Sequence, residues 1–312
     1  MSERRYRVRW VDVFTERPLV GNPLAVVLNA DGLSTADMQA IARETNLSET
    51  TFVFPPEQRD NTARVRIFTP QVELPFAGHP TVGTGWVLLD EGLVGPDVPA
   101  FTLEEGVGPI PVRVDRGGTS LVLWMSHPPV KFGEVIEERE DTAAALGLTV
   151  ADLLRNVPMQ VVSTGLPHLY IALRDASAVD RAVSRGDALT LVLDAHGLPP
   201  VFLFAAVGPD RLYSRMFGPH SATRIAEDPA TGSASGPLGA FAVRYGLVPR
   251  SAQVSIISEQ GTRMGRQSFI HIALAYLNGA ELPSRIEVGG SVVPVMTAEL
   301  SLSGSGVSGR VR

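Results

Sequence analysis

The sequence of 312 residues contains no cysteine and a single lysine, Lys131, against 26 arginines. The absence of cysteine excludes thiol nucleophiles, disulfides and metal or iron–sulfur sites built on cysteine. A pyridoxal-phosphate enzyme needs a lysine for its Schiff base. Lys131 follows Pro128, Pro129 and Val130 in a segment that we predict to be a linker, so we expect no such cofactor.

A strong charge and a long apolar run are missing as well. The net charge of -6, with 44% hydrophobic and 19% charged residues, is typical of a soluble globular protein and offers no basic surface for nucleic acid. The most apolar region, residues 189–207, is interrupted by Asp194, His196 and Pro199, so we predict no membrane span. The N-terminal residues alternate polar and apolar as in a strand, and we expect a cytoplasmic protein.

The histidines show no pattern typical of metal ligands. No two of them are separated by four residues, the spacing that places two ligands on one face of a helix. We therefore predict no metal site. The six histidines are His79, His127, His168, His196, His220 and His271.

What the sequence does contain is a long internal repeat. The segment around Glu73 recurs 154 positions later around Glu227, with seven identities within 22 positions. Glu73, Pro75, Gly78, Gly85, Gly92, Leu93 and Val94 match Glu227, Pro229, Gly232, Gly239, Gly246, Leu247 and Val248. This period is far longer than that of solenoid repeats, so it predicts a duplicated domain.

The repeat predicts two lobes of similar structure. In each lobe a helix that is apolar on all sides, beginning near His79 and near Ser233, is surrounded in sequence by strands, and such a helix is typically buried. We predict an N-terminal lobe over residues 1–127 and a C-terminal lobe over residues 128–302, whose last strands may pair with the first lobe. Residues 303–312 are rich in glycine and serine and are predicted to be a flexible tail.

Local signals place the other elements. Residues 7–14 and 24–28 alternate like strands, and Ser34 with Asp37 forms a predicted capping box for a helix that ends near Asn46. Glu49 then lies at a helix-to-strand junction, where a side chain projects from a rigid frame.

Each buried helix begins with a glycine and a polar residue, Gly78-His79 and Gly232-Ser233. A helix N-terminus attracts carboxylate or phosphate, and glycine allows close approach to the main chain, so these residues predict binding of a small anion. An alternative is that His79-Pro80 and Asp228-Pro229 are only cap and turn residues. The paired positions Glu73 and Glu227, with Arg66 and Arg215, favour a structural role.

Four segments together resemble the PhzF-like family of phenazine biosynthesis and, more distantly, diaminopimelate epimerase. They are Val11-Asp12-Val13-Phe14 with Gly21-Asn22-Pro23, Asn46-Leu47-Ser48-Glu49-Thr50, Pro75-Phe76-Ala77-Gly78-His79-Pro80-Thr81, and Glu227-Asp228-Pro229-Ala230-Thr231-Gly232-Ser233-Ala234, with a weaker match at Gln260-Gly261 and Met264-Gly265-Arg266. The resemblance implies an α+β fold of two pseudo-symmetric lobes, each a β-barrel-like sheet around a central buried α-helix. It also implies a homodimer that isomerises trans-2,3-dihydro-3-hydroxyanthranilate without cofactor or metal.

The resemblance also assigns site residues. The family's acid/base glutamate falls on Glu49 and its supporting residues fall on His79 and Asp228. Binding of a small anionic substrate falls on Gly78, Gly232 and Ser233, with Ser48 nearby. Diaminopimelate epimerase uses two cysteines at the corresponding loops, and their absence here rules out a thiol-based epimerase.

Both lines lead to one hypothesis for the reaction. Glu49, with a pKa raised by burial, shuttles a proton between carbons of a small amino-carboxylate, because an ordinary carboxylate returns protons poorly near neutral pH. Two alternatives stay open. One is an amino-acid racemase or epimerase in which Glu49 and either Asp228 or His79 serve opposite faces, and the other is a non-catalytic carboxylate-binding protein.

Overall fold

The computed structural model describes residues 4–184, 187–218 and 226–302. These residues form two compact units. Unit 1 comprises residues 4–19, 23–125 and 291–302, and unit 2 comprises residues 20–22 and the described part of 126–290. The first and the last described strand therefore both belong to unit 1. The predicted flexible tail, residues 303–312, lies outside the described residues.

Strands and helices alternate along the described chain. The strands are β1 (Arg4–Val13), β2 (Asn22–Val27), β3 (Glu49–Phe54), β4 (Ala63–Phe68), β5 (Glu73–Leu74), β6 (Ala100–Glu105), β7 (Gly108–Asp115), β8 (Val122–Ser126), β9 (Lys131–Ile136), β10 (Met159–Ser163), β11 (Pro167–Ala172), β12 (Val201–Gly208), β13 (Arg211–Phe217), β14 (Gln253–Gln260), β15 (Ser268–Ala275), β16 (Arg285–Gly290) and β17 (Val292–Leu302). The helices are α1 (Thr35–Thr45), α2 (Gly78–Asp90), α3 (Arg139–Ala145), α4 (Ala176–Arg181), α5 (Asp187–Ala195) and α6 (Gly232–Arg244).

The two units pair their strands in the same order. In unit 1, β2 pairs parallel to β3, β3 antiparallel to β4, β4 parallel to β6, and β6, β7 and β8 pair antiparallel in turn. In unit 2, β11 pairs parallel to β12, β12 antiparallel to β13, β13 parallel to β14, and β14, β15 and β16 pair antiparallel in turn. The duplication seen in the sequence is therefore a duplication of topology.

Helix α2 is the core of unit 1, and glycines let strands approach it closely. A Cβ atom at Gly83 would lie 2.6 Å from a Leu24 methyl on β2 and 2.7 Å from a Val13 methyl on β1. On a different side of the helix, a Cβ at Gly85 would lie 3.0 Å from Leu123 and 3.1 Å from Phe101. Strands therefore pack on α2 from several directions, as its all-round apolar sequence predicted.

Helix α6 has the same place in unit 2. A Cβ at Gly239 would lie 2.7 Å from a methyl of Ile272 on β15. The ring of Phe241 packs 5.7 Å from both Tyr170 on β11 and Phe204 on β12, and Tyr170 donates a 2.6 Å hydrogen bond to the Ala234 carbonyl. The predicted α+β fold, with a central buried helix in each of two similar lobes, is confirmed.

The predicted helix ends are confirmed in detail. Ser34 and Asp37 form a reciprocal capping box at α1, and Asn46 ends that helix in the left-handed conformation. Gly92 and Gly246, which match in the repeat, follow α2 and α6 with the same φ of 71°. A residue without Cβ adopts this conformation at no steric cost, so both glycines stop their helices.

Two local predictions were wrong. The first strand ends at Val13 rather than Phe14, because Phe14 adopts a φ of 63°, outside the extended region. The linker prediction fails at Lys131, which begins β9 and pairs with Ser163. The two prolines precede this strand and do not interrupt it.

No helix among the described residues is long and apolar enough to cross a membrane.

Candidate active site

Glu49 is held at the start of β3 by structure on both sides. Asn46 ends α1 and donates its N–H to the Ala42 carbonyl, so only Leu47 and Ser48 separate the helix from the strand. Glu49 itself is in register with Leu24 of the parallel strand β2. The residue is 9% exposed, and its neighbour Ser48 is half-buried. A carboxyl group is thus fixed on a rigid frame in nearly dry surroundings.

His79, in the first turn of α2, lies next to this carboxyl group. Its Nδ1 is 3.4 Å from Glu49 Oε2, and the residue is 4% exposed. Burial lowers the pKa of His79 to about 3, although a hydrogen bond to the main chain of Pro23 raises it. The imidazole is therefore neutral near pH 7, and its contact with Glu49 is not an ion pair. The two residues that the sequence placed 30 positions apart meet within unit 1.

The beginning of α2 suits an anion. Gly78 is the first helical residue, and it follows Ala77, which has extended backbone and no polar side chain to cap the helix. A helix start without a side-chain cap exposes N–H groups and a partial positive charge of about half an electron. Gly78 and His79 thus combine a helix start without a side-chain cap with a neutral imidazole.

In unit 2 the predicted residue Asp228 is the centre of a buried network. Its Oδ1 accepts a 2.9 Å hydrogen bond from Asn22 Nδ2, and its Oδ2 accepts a 2.6 Å hydrogen bond from Thr231 Oγ1. Asn22 also donates to the Ala230 carbonyl at 2.9 Å. Burial raises the pKa of Asp228, while the hydrogen bonds from Thr231, Asn22 and the main chain of Ala230 lower it. The net shift is upward, which favours a carboxyl group that keeps or regains a proton.

Gln260 fixes the turn that carries Asp228. Its Nε2 donates to the Asp228 carbonyl at 2.8 Å and to Thr231 Oγ1 at 2.9 Å, and its Oε1 accepts the Thr231 N–H at 3.1 Å. Gly261 follows with a φ of 77°, and its main chain lies directly against Pro229. Gln260 thus ties the side chain of Thr231 and the main chain of the turn together.

Gly232 and Ser233 begin α6 next to this turn. The preceding residue, Thr231, does not cap the helix with its side chain; its hydroxyl donates to Asp228 and accepts from Gln260 Nε2. Ser233 is 8% exposed and stands where the repeat has His79 in unit 1. Each unit therefore has a helix start without a side-chain cap, and the two differ in the side chain beside it.

Sequence reasoning assigned no role to three residues of the network in unit 2: Asn22, Thr231 and Gln260. All three lie within segments that carry the family resemblance, so the signal was present in the sequence. What the sequence did not show was their hydrogen-bond partner, because Asn22 is 206 positions from Asp228 and Gln260 is 32 positions from it.

Among the described residues, no group of three or more histidine, aspartate or glutamate side chains is arranged to hold a metal ion.

The glutamates and arginines of the repeat form scaffold ion pairs, as predicted. Arg66 Nε and Nη2 donate to both carboxylate oxygens of Glu73 at 2.7 and 2.6 Å, and Arg215 donates to Glu227 in the same way at 2.7 and 2.8 Å. The partner of each glutamate is thus an arginine of a neighbouring strand. A bidentate pair fixes both angle and distance, so each pair fastens its motif loop to a strand.

These two pairs allow a matched prediction. The side chains of Arg215 and Glu227 are 9% and 17% exposed, whereas those of Arg66 and Glu73 are 23% and 39% exposed. Arg215 also donates to the carbonyls of Val179 and Ala182. We expect Arg215→Ala to lower the free energy of unfolding by about 3 kcal/mol or more, because it leaves a buried charge uncompensated. Arg66→Ala should cost about 1 kcal/mol or less. Urea unfolding of both variants measures the difference, and equal costs would contradict the assignment.

The comparison with known proteins identifies the family of the chain. The family model described as phenazine biosynthesis-like protein matches residues 11–298. The chain belongs to this family. It is 37% identical over 283 residues, covering 90% of this chain and 94% of the relative, to the trans-2,3-dihydro-3-hydroxyanthranilate isomerase of Pseudomonas aeruginosa.

Solved structures of other proteins are similar to this chain over its whole fold. The phenazine biosynthesis protein of the PhzF family from Bacillus anthracis superposes with a TM-score of 0.86 at 27% identity, covering 95% of this chain and 99% of that one. A hydroxyproline epimerase from Agrobacterium vitis, solved with bound trans-4-hydroxy-L-proline, has a TM-score of 0.67 at 12% identity, covering 98% and 94%. The second likeness shows the fold alone. The chain is thus a member of a family of isomerases with an epimerase-like fold.

Proposed function

We propose that this protein is a metal- and cofactor-independent isomerase that moves a proton between carbons of a small amino-carboxylate. The first substrate to test is trans-2,3-dihydro-3-hydroxyanthranilate, the compound named for the Pseudomonas aeruginosa relative. The observation that carries the proposal is the buried contact between Glu49 and the neutral His79, at 3.4 Å. A carboxyl group in dry surroundings next to a neutral imidazole is suited to take up and return a proton without an external cofactor.

Glu49 is the proposed proton carrier. It removes a proton from one carbon of the substrate and returns it to another, so the reaction has no net proton uptake. General acid/base catalysis by a positioned side chain typically contributes about 100- to 10,000-fold to a rate. In unit 1, His79, neutral at pH 7, is proposed to hydrogen-bond a polar group of the substrate; in unit 2, Asp228, with its raised pKa, is the residue proposed for this role.

The substrate carboxylate is proposed to bind at the helix N-termini. The candidates are Gly78 in unit 1 and Gly232 with Ser233 in unit 2, with Ser48 as a further hydroxyl. Support comes from the starts of α2 and α6, neither of which has a side-chain cap. Helix starts of this kind bind anions through main-chain N–H groups.

A homodimer and a cytoplasmic location stay predictions from the resemblance and the composition.

The test is to incubate the protein with trans-2,3-dihydro-3-hydroxyanthranilate in D₂O and follow the ultraviolet spectrum and the proton NMR spectrum together. Isomerisation moves a double bond, so we expect a change in the ultraviolet spectrum with deuterium entering one carbon position. Metal chelator added to the assay should leave the rate unchanged. An unchanged spectrum with no exchange would contradict this substrate.

The same experiment on a panel of amino acids separates the alternatives. A racemase or epimerase inverts a stereocentre as it exchanges the carbon-bound proton and leaves the ultraviolet spectrum unchanged. Binding of small carboxylates with no exchange at any carbon would identify a binding protein instead. Either outcome would replace the proposed isomerase.

A further inference from the structure

Both units support the loop before their central helix in the same way. In unit 1, β6 ends at Glu105, and a Cβ at the next residue, Gly106, would lie 2.8 Å from Pro75 Cα. In unit 2, β14 ends at Gln260, and a Cβ at Gly261 would lie 2.5 Å from the Pro229 carbonyl oxygen. Pro75 and Pro229 are equivalent in the repeat, whereas Glu105 and Gln260 are 155 positions apart, so an offset of 154 does not align them.

The side chains at the two strand ends differ in chemical type, an amide in unit 2 and a carboxyl group in unit 1. Gln260 is a neutral amide, and its oxygen and nitrogen both make hydrogen bonds to the Asp228–Thr231 turn. Glu105 reaches the first turn of α2 instead, where its Oε1 is 2.6 Å from Thr81 Oγ1. Thr81 is two residues after His79. Glu105 therefore stands in unit 1 where unit 2 has a neutral group.

The protons of this contact can be counted. Thr81 Oγ1 is also 2.8 Å from the Ala77 carbonyl, an acceptor that carries no proton. The equivalent residue in unit 2, Ser235, donates its hydroxyl proton to the equivalent carbonyl, that of Thr231, at 2.9 Å. A hydroxyl group has one proton to donate. If Thr81 donates to Ala77 as Ser235 donates to Thr231, the hydrogen bond to Glu105 needs a proton on Glu105.

The surroundings of Glu105 also favour the neutral acid. The residue is 7% exposed, and its Oε2 has no hydrogen-bond partner among the described residues. Burial raises the pKa of Glu105 from its ordinary value of 4.5 to about 8, although the contact with Thr81 lowers it. An ionised carboxylate with one bare oxygen would be costly in such a place.

Other charged groups around Glu105 have partners of their own. Arg66 pairs with Glu73 at 2.6 Å, Arg64 lies 3.3 Å from Glu57, and Glu104 accepts the main-chain N–H groups of Glu57 and Gln58. On α2 the titratable residue nearest in sequence to Thr81 is His79. The charged residues that line the same cavity as Glu105 are Glu57, Arg64, Arg66, Glu73 and Glu104.

We propose that Glu105 is a positioning residue of the candidate active site, which in its neutral form fixes the first turn of α2, and with it His79, through Thr81. The effect of Glu105 on catalysis rests on the proposed function. Its effect on the position of the first turn of α2 does not. The turn after Glu105 adds a second attachment, because the Val107 N–H donates to the Pro75 carbonyl at 3.1 Å.

Ionisation of Glu105 should therefore weaken substrate binding. Above pH 8 the carboxylate accepts the Thr81 proton and withdraws it from the Ala77 carbonyl. It also brings a negative charge to the helix start that is proposed to bind the substrate carboxylate. We expect KM to rise with pH above pH 8, by up to about tenfold per pH unit, the limit for one ionisation, with a smaller change in kcat.

The activity test compares the wild type with Glu105→Gln, which keeps a neutral group of the same shape. This variant should retain activity at pH 7 and lose the rise in KM above pH 8. Glu104→Gln is the control, since it removes the neighbouring carboxylate and should leave the KM profile as in the wild type. A rise in KM that persists in Glu105→Gln would overturn the proposal.

Two measurements test the inference without any turnover. The NMR signals of the His79 ring should shift with an apparent pKa near 8 in the wild type, although His79 itself stays neutral, and should not shift in Glu105→Gln. From pH 5 to pH 8 the folded state holds a proton that the unfolded state has lost, so stability falls as pH rises. The unfolding constant should increase about tenfold per pH unit in urea, relative to the variant.

These readouts separate the two proposals. Suppose that the His79 signals shift, that stability falls between pH 5 and pH 8 as described, and that no isomerase substrate is found. The positioning role of Glu105 then stands and the proposed function fails. If the His79 signals do not move, or if wild type and Glu105→Gln keep the same stability difference from pH 5 to pH 8, the positioning role is wrong whatever the activity.

Discussion

Replacing Glu49 by glutamine should lower kcat by about 100- to 10,000-fold, the range that a positioned acid/base group contributes. Glutamine has the same shape and still forms hydrogen bonds next to His79, so the β2–β3 register and the helix start are expected to persist. What it lacks is a group that accepts a proton from carbon and returns it. We therefore expect KM to change little and the fold to be retained, as checked by the far-ultraviolet circular dichroism and the melting temperature.

A matched control removes a carboxylate of the same unit that has no proposed role. Glu44 is exposed on α1, five residues before Glu49, and Glu44→Gln should keep full activity. Steady-state rates on trans-2,3-dihydro-3-hydroxyanthranilate and deuterium incorporation in a single turnover measure the effect. Full turnover in Glu49→Gln, with substrate turned over by the wild type, would show that Glu49 is not the proton carrier.

Replacing Gly261 by alanine should destabilise the fold strongly, although it adds only one methyl group. The new Cβ would overlap the Arg266 carbonyl oxygen and lie 2.5 Å from the Pro229 carbonyl oxygen, and the φ of 77° is unfavourable for any residue with a Cβ. The left-handed conformation costs about 1 to 2 kcal/mol and forced overlap about 1 to 3 kcal/mol more. The resulting loss of about 2 to 5 kcal/mol is a large part of a typical total stability of about 5 to 15 kcal/mol.

Gly265→Ala is the control for this change. Gly265 has a φ of 69°, close to that of Gly261, but nothing lies within 4 Å of a Cβ built there. It should therefore show the conformational cost alone, about 1 to 2 kcal/mol. Urea unfolding monitored by tryptophan fluorescence gives both values. Similar losses for the two variants would mean that the main chain of Pro229 moves away without cost.

Sequence reasoning succeeded where the determining interactions are local. The capping box of Ser34 and Asp37, the left-handed Asn46 and the glycines that end α2 and α6 all act within a few residues of the chain. The internal repeat predicted, in addition, that the two units have the same topology.

Sequence reasoning did not reach the partners within each site. The contact of Glu49 with His79 depends on a parallel strand register and on the direction of α2, and neither leaves a local pattern. The low pKa of His79 and the high pKa of Glu105 are consequences of burial, which is set by the packed core as a whole. Glu105 has a further disadvantage, because the one-residue change of offset hides its likeness to Gln260.

The return of β17 to unit 1 has a consequence for synthesis on the ribosome. Strand β1 pairs over residues 4–13 with β17, which spans residues 292–302. The sheet of unit 1 therefore stays incomplete until β17 has been translated, while most of unit 2 is one continuous stretch that precedes β17. Domains generally fold as units and pairings distant in sequence form slowly. Unit 2 is thus expected to fold first, and β1 waits as an open edge for the last strand to emerge.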